Sequence, residues 1–270
     1  MRSRLRRSWR ANTCDAGPSS MRNFRMVIEY EGTNYHGWQT QLREVTIQRT
    51  IEETIERIVQ ERVRLTGSGR TDAKVHAIGQ MANFRSATRL EPHLLRRALN
   101  SLLPLDILIK KVDVVPLNFD SCLHALSKTY RYSILNRPDR CAIGRQYVLH
   151  LASPLHLETM MEAAAHLVGE RDFSSFRSSS CQTQNSIRQV KRAEFEREGD
   201  LIHFFMESSG FLHHMVRSIV GTLIEVGKGR LTASEFQGIL EAKDRRLAGR
   251  TANPQGLCLM EVKYPEPEAA

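Results

Sequence analysis

The run Arg62-Val63-Arg64-Leu65-Thr66-Gly67-Ser68-Gly69-Arg70-Thr71-Asp72-Ala73-Lys74-Val75-His76-Ala77 sets the terms for the whole chain. Arg62 to Leu65 reads as a short strand, the Gly67/Gly69 loop follows, and Gly79 to Phe84 is extended again. Two glycines allow the loop to turn tightly and approach a ligand. A dinucleotide-binding fingerprint would need a third glycine three residues after Gly69. Asp72 stands there instead, and its carboxylate would repel a pyrophosphate. A nucleotide-dependent enzyme using this glycine loop therefore fails on Asp72, and tight ATP or NAD binding would be needed to revive it. Taken alone, Asp72 reads as a loop or helix cap.

On the N-terminal side, Phe24 to Tyr30 reads as a strand. Thr46 to Gln60 carries Ile47, Ile51, Ile55, Ile58 and Val59 on one stripe, which predicts an amphipathic helix with Thr46 as its N-cap. On the C-terminal side, Pro92 opens a helix with Leu94, Leu95, Ala98, Leu99 and Leu102 as its buried stripe, and Pro104 stops it. Ile107 to Val114 is a further strand, and Pro116 to Ser127 is a connection.

A second half follows. Thr129 to Asn136 alternates, with Tyr130, Tyr132 and Ile134 on one face. Leu157, Met160, Met161, Ala164, Leu167 and Val168 mark a helix. Ile187 to Arg197 and Leu201 to Ser208 form a hairpin around Glu198-Gly199-Asp200. Leu212 to Val226 is a strongly apolar helix closed by Gly227, and Thr232 with Glu235 forms a capping box on a short helix. Leu257 to Tyr264 is the last strand. Strands and helices do not alternate strictly, so the expected class is α+β, with sheets covered by helices.

The 270 residues are enough for one large domain or two packed halves. No apolar run approaches the roughly 18 residues of a membrane span. The net charge of +9 favours a polyanionic partner. Residues 1–20 contribute +4 of it through Arg2, Arg4, Arg6, Arg7 and Arg10 against Asp15, so the body carries +5. That tail is expected to be disordered, with translation starting at Met21; organellar targeting is the less favoured reading. The five scattered cysteines contain no C-x-x-C pair, which argues against a disulfide framework or structural zinc and for a reducing compartment. His213-His214 lacks an H-E-x-x-H context, so no metal site is assigned.

Several segments resemble, in order, the signature of the TruA family of tRNA pseudouridine synthases. They are Tyr30-Glu31-Gly32-Thr33-Asn34-Tyr35-His36-Gly37-Trp38-Gln39, the loop at Asp72 with His76, and Lys128-Thr129-Tyr130-Arg131-Tyr132. Asp172-Phe173-Ser174-Ser175-Phe176, Gly210 to Arg217, and Gly256-Leu257 complete the set. The resemblance implies a pseudouridine synthase fold: two α/β halves, 21–118 and 119–270, sharing a continuous, mainly antiparallel sheet flanked by helices. It also implies a cytoplasmic homodimer acting on tRNA, at uridines on the 3′ side of the anticodon stem-loop, with no cofactor. Asp72 would be the catalytic carboxylate and Arg217 the guanidinium that keeps it ionised. Tyr130 would stack on the flipped uracil, Arg70 would fill the space it leaves, and Leu257 would wall the pocket. Arg22, Arg25, Lys110, Lys111, Arg188 and Lys191 are candidates for RNA-backbone contacts.

Three positions depart from the family pattern. Lys74 stands where a Gly is usual, Cys122 where an Arg is common, and Asn253 where a Pro is often seen. The alternative they motivate is a catalytically impaired homologue that binds or folds tRNA.

Overall fold

A computed structural model describes residues 21–179, 183 and 185–265. The basic tail, Cys14 and Cys181 lie outside the described residues. The chain divides into two compact units. One runs to Leu126 and takes up the chain again from Glu261; the other is Ser127–Met260.

The first unit contains β1 (Arg22–Tyr30), α1 (Ile47–Val59), β2 (Thr66–Gly67), β3 (His76–Ser86), α2 (Pro92–Leu102) and β4 (Ile107–Val115). β1 lies between β4 and β3, antiparallel to both, and β2 adds to β3. Alternation along β1 puts Phe24, Met26 and Ile28 in the core, and Phe24 stacks on its cross-strand partner Phe84 at 5.3 Å. In α1 the stripe Ile47, Ile51 and Ile55 is fully buried, as its spacing predicts. Thr46 occupies the N-cap position in an extended conformation, but its hydroxyl makes no cap hydrogen bond.

Two readings of this half change. Arg62–Leu65 is not a strand; pairing begins at Thr66 and Gly67, inside the supposed loop. The reason is that the amides of the 62–65 segment turn to α1: Leu65 donates to Glu52 Oε1 at 2.8 Å and Val63 to Glu56 Oε1 at 3.4 Å. In α2 only Leu95 and Leu99 are buried, while Leu94 and Leu102 are each 44% exposed. A polar residue helps to dock this helix. The β1–β4 register slips at Lys110, and beside that bulge the Asn100 carboxamide binds both the N–H and the carbonyl of Ile109, at 2.8 and 2.9 Å.

The second unit contains β5 (Ser127–Asn136), β6 (Leu149–Leu151), α3 (Leu157–Ala165), β7 (Gly169–Asp172), β8 (Ile187–Glu198), β9 (Leu201–Ser208), α4 (Met215–Gly227) and α5 (Ala233–Ala242). The last strand, β10 (Leu257–Lys263), begins in this unit and ends in the first. β5, β9, β8 and β7 follow one another in antiparallel order, and β6 pairs parallel to β5. The hairpin at Gly199, with φ +59°, and the Thr232/Glu235 capping box both form. α4 is buried on nearly every side, which explains why its sequence is apolar all round. Met161, in the middle of α3, and Val168, past its end, are instead largely exposed. The α+β class with mainly antiparallel strands is as expected.

Of the basic residues picked out for RNA contact, those of the first unit are held by acids or carbonyls of the chain itself. Arg25 and Lys111 both hold Asp113, at 2.9 and 3.0 Å, and Lys110 reaches Glu29 at 3.2 Å. Arg22 lies over the Phe24 ring and donates to the Leu90 carbonyl. Partial burial raises the Asp113 pKa, but hydrogen bonds and charge from Arg25 and Lys111 outweigh it and hold the carboxyl below its ordinary value. A depressed folded pKa stabilises above the unfolded value, near 3.9, and that contribution is lost as pH falls through the folded value. Asp113→Asn is therefore expected to cost on the order of 1 kcal/mol at pH 7, and the gap to wild type should close in strong acid. Urea melts at pH 7 and below pH 3 check this.

Candidate active site

The Asp72 loop is built from main-chain bonds and buried hydroxyls. Ser68 N–H donates to the Met81 carbonyl at 2.7 Å, which ends the β2–β3 pairing. The buried Ser68 hydroxyl donates to Gln80 Oε1 at 2.7 Å, and Gln80 Nε2 donates to the Gly69 carbonyl at 3.1 Å. Thr71 is buried, its hydroxyl 2.7 Å from the Tyr30 hydroxyl, and its carbonyl accepts from Trp38 N–H at 3.1 Å. His76 Nδ1 accepts from Gly32 N–H at 3.0 Å. That bond makes the imidazole neutral with its proton on Nε2. The family-like segment 30–39 is thus the clamp that holds residues 71–76.

Between these anchors, Val75 N–H returns to the Asp72 carbonyl at 3.2 Å and closes a turn over Asp72–Val75. Asp72 is half-buried at its first position. The glycines play a different part from the one their sequence suggests. Neither Gly67 nor Gly69 has a positive φ. Gly67 is needed for close approach, because a Cβ there would meet the Trp38 indole at 2.5 Å. Gly37 does need its freedom, with φ +89° and a Cβ position 2.6 Å from the Thr71 carbonyl.

The residue of this turn with positive φ is Lys74, at +65°, held there by its N–H donating to the Tyr35 carbonyl at 3.2 Å. A left-handed residue with a Cβ costs roughly 1–2 kcal/mol. Glycine would remove that strain but loses more entropy on folding. Lys74→Gly is expected to raise stability by about 0.5–1 kcal/mol, or a melting temperature higher by a few degrees. Differential scanning calorimetry decides it, and an unchanged or lower melting temperature contradicts the strain account.

In the second unit, β5 carries Tyr130 and Tyr132 on the same face with different fates. Tyr132 is fully buried and donates to the Asn253 carbonyl at 2.7 Å. Burial pushes its phenol pKa up, against the opposing charge of Arg217. Tyr130 is 6% exposed and meets Phe211 edge-to-face at 4.9 Å. Arg217, in the first turn of α4, is half-buried, not extended into solvent. Its Nε donates to the Ala252 carbonyl at 2.8 Å, and Ala252 N–H donates to the Arg217 carbonyl at 3.0 Å. This reciprocal pair fixes the guanidinium plane. Leu257 is buried at the start of β10.

Arg70 is exposed two residues before Asp72. Lys191 lies 3.8 Å from Glu207, and Arg188 donates to the Asn185 and Ile187 carbonyls at 2.8 and 2.7 Å. The two remaining departures from the family pattern are locally benign. Cys122 N–H donates to Asp120 Oδ1 at 2.8 Å, in a turn that needs no arginine. Asn253 has φ −62°, a value proline also adopts, and its carbonyl is what Tyr132 uses. The sequence offered no signal for the roles of Gln80 and Ala252, because one acts through a carboxamide on a strand and the other through its main chain alone.

Similarity to known proteins agrees with this construction. The model of a tRNA pseudouridine synthase family matches residues 26–122 and 163–265. The tRNA pseudouridine synthase A of Geotalea daltonii is 46% identical over 244 residues, covering 90% of this chain and all of the relative. Those of Acetivibrio thermocellus and a Thermoanaerobacter species are 44% and 43% identical over spans of the same length and coverage. This chain belongs to the tRNA pseudouridine synthase family.

Proposed function

We propose that the protein isomerises uridine to pseudouridine in tRNA, with Asp72 as its one catalytic carboxylate. The bond between ribose C1′ and uracil N1 breaks and a bond between C1′ and C5 forms. The C5 proton goes to solvent and N1 regains a proton, so atoms balance with no group imported. One carboxylate suffices, whether it attacks the sugar as a nucleophile or acts on it as a base. The observation that carries this reading is the half-buried Asp72 at the head of a turn anchored on both sides by the 30–39 segment.

The other residues take roles suited to their settings. A target inside a stem must be flipped out and held by stacking. Tyr130, oriented by Phe211, offers the flat face. Arg217, its plane set by Ala252, is the cation that pairs with the Asp72 carboxylate. Arg70 fills the space the base vacates, and Leu257 contributes apolar wall. The uridines are those on the 3′ side of the anticodon stem-loop, and the active species is a cytoplasmic homodimer. No helix among the described residues is long and apolar enough to cross a membrane.

The test is to incubate purified protein with unmodified tRNA and map pseudouridine by carbodiimide-dependent reverse-transcription stops. New stops in the anticodon arm support the reading. Their absence, under conditions where a relative is active, rejects it.

A further inference from the structure

The turn that presents Asp72 also presents a cation, on a strained backbone, whose side chain makes no hydrogen bond or ion pair among the described residues. Lys74 is exposed at φ +65°. Among the described residues its ammonium has no ion-pair or hydrogen-bond partner, Asp72 included. Lys110, Lys111 and Lys191, by contrast, each reach a carboxylate. Nothing the Lys74 side chain does within the chain offsets the cost of its conformation. Uncompensated strain beside a functional group points to a role in binding.

We propose that Lys74 is a substrate-binding residue whose ammonium takes a backbone phosphate beside the uridine that Asp72 acts on. This rests on the reaction proposed above. The Asp72 carboxylate must approach a ribose flanked by phosphates on both sides, and carboxylate and phosphate repel. The Cα atoms of Asp72 and Lys74 cannot lie more than about 7.6 Å apart, two trans-peptide steps. A cation there sits within reach of the phosphates next to the reacting sugar. Lysine suits the task because a compact charge on a flexible stem accepts phosphate oxygens from many directions. The turn's main chain is pinned through the Lys74 N–H and Val75 N–H while the side chain points away into solvent, so the charge is delivered from a fixed base. Arg70, exposed and likewise without a partner among the described residues, flanks Asp72 on the other side.

Four proteins test this: wild type, Lys74→Ala, Lys74→Gly and Lys74→Arg, each assayed for tRNA affinity and single-turnover pseudouridine formation across a salt series. Lys74→Ala and Lys74→Gly are both expected to weaken tRNA binding by about threefold to tenfold at low salt, and to lower the slope of log affinity against log salt by about 1. Lys74→Arg should keep both wild-type affinity and slope. Because Lys74→Gly is expected to be the more stable protein, its weaker binding would not reflect unfolding. Wild-type affinity and slope in the Ala and Gly variants overturn the proposal. So does weakening in Ala with recovery in Gly, which would make backbone strain the cause instead of charge. Failure of wild type itself to form pseudouridine overturns the reaction assignment, a result separate from any difference among the variants.

Discussion

Asp72→Asn is expected to reduce pseudouridine formation by roughly 10³-fold or more while tRNA affinity stays within about threefold of wild type. The carboxamide has nearly the carboxylate's shape, and the loop has main-chain and neighbouring side-chain anchors of its own. The Ser68–Gln80–Gly69 links, the Tyr30–Thr71 hydroxyl contact and the Val75-to-Asp72 main-chain bond all survive the change. What disappears is the negative charge and, with it, both chemical roles open to this residue: an amide neither attacks C1′ nor removes a proton from the sugar. Binding is dominated by contacts to phosphates, which a lost anion does not weaken. Single-turnover assays and tRNA titrations at one salt concentration separate the two effects. Retention of a tenth or more of wild-type rate removes Asp72 from the chemistry.

Gly221→Ala is the second large effect, and it acts on stability. Helix propensity alone would favour alanine by about 1 kcal/mol. Packing reverses the sign. A Cβ at Gly221 would stand 1.7 Å from the Arg250 carbonyl oxygen, a backbone atom that cannot swing aside. The 249–252 segment lies directly on α4, tied by Gly249 N–H to the Thr222 hydroxyl at 2.9 Å and by the Arg217–Ala252 pair. Admitting a methyl means lifting that segment and breaking these bonds. We expect a loss of about 3 kcal/mol, equivalent to a melting temperature lower by roughly 6–12 °C at this size. Activity should fall as well, because Arg217 loses its anchor. Gly238→Ala is the control: that position, on the exposed face of α5, has nothing within 4 Å, and the substitution should be neutral or mildly stabilising. Thermal melts of the two variants side by side check the account, and a Gly221→Ala melt within about 1 °C of wild type would refute it.

Both effects depend on contacts between residues distant in the chain, and this marks the limit of what sequence reading reached. The α1 stripe, the Gly199 hairpin and the Thr232/Glu235 capping box involve residues within a few positions of one another. Local periodicity and local hydrogen bonding encode such features, so they were legible. The order of motifs around Asp72 was legible too, and it identified the family. The tertiary structure alone decided that Arg62–Leu65 is no strand, because its amides bond to Glu52 and Glu56 on α1. It supplied the partners that distinguish Tyr132, whose hydroxyl finds Asn253 across 121 positions, from Tyr130 on the same face, which meets Phe211. The β1–β4 register sets Arg25 opposite Asp113, where Lys111, two positions back on the same strand, joins it, an ion cluster that the separate segments do not announce. At the loop that opened the reading, the sequence by itself determined that an aspartate ends a glycine-rich loop. Folding decided that the left-handed residue is Lys74 and that Gly67 serves close packing. Conformation at a turn is imposed by the segment that clamps it, here Tyr35 and its neighbours, and that partner is invisible until the chain is folded.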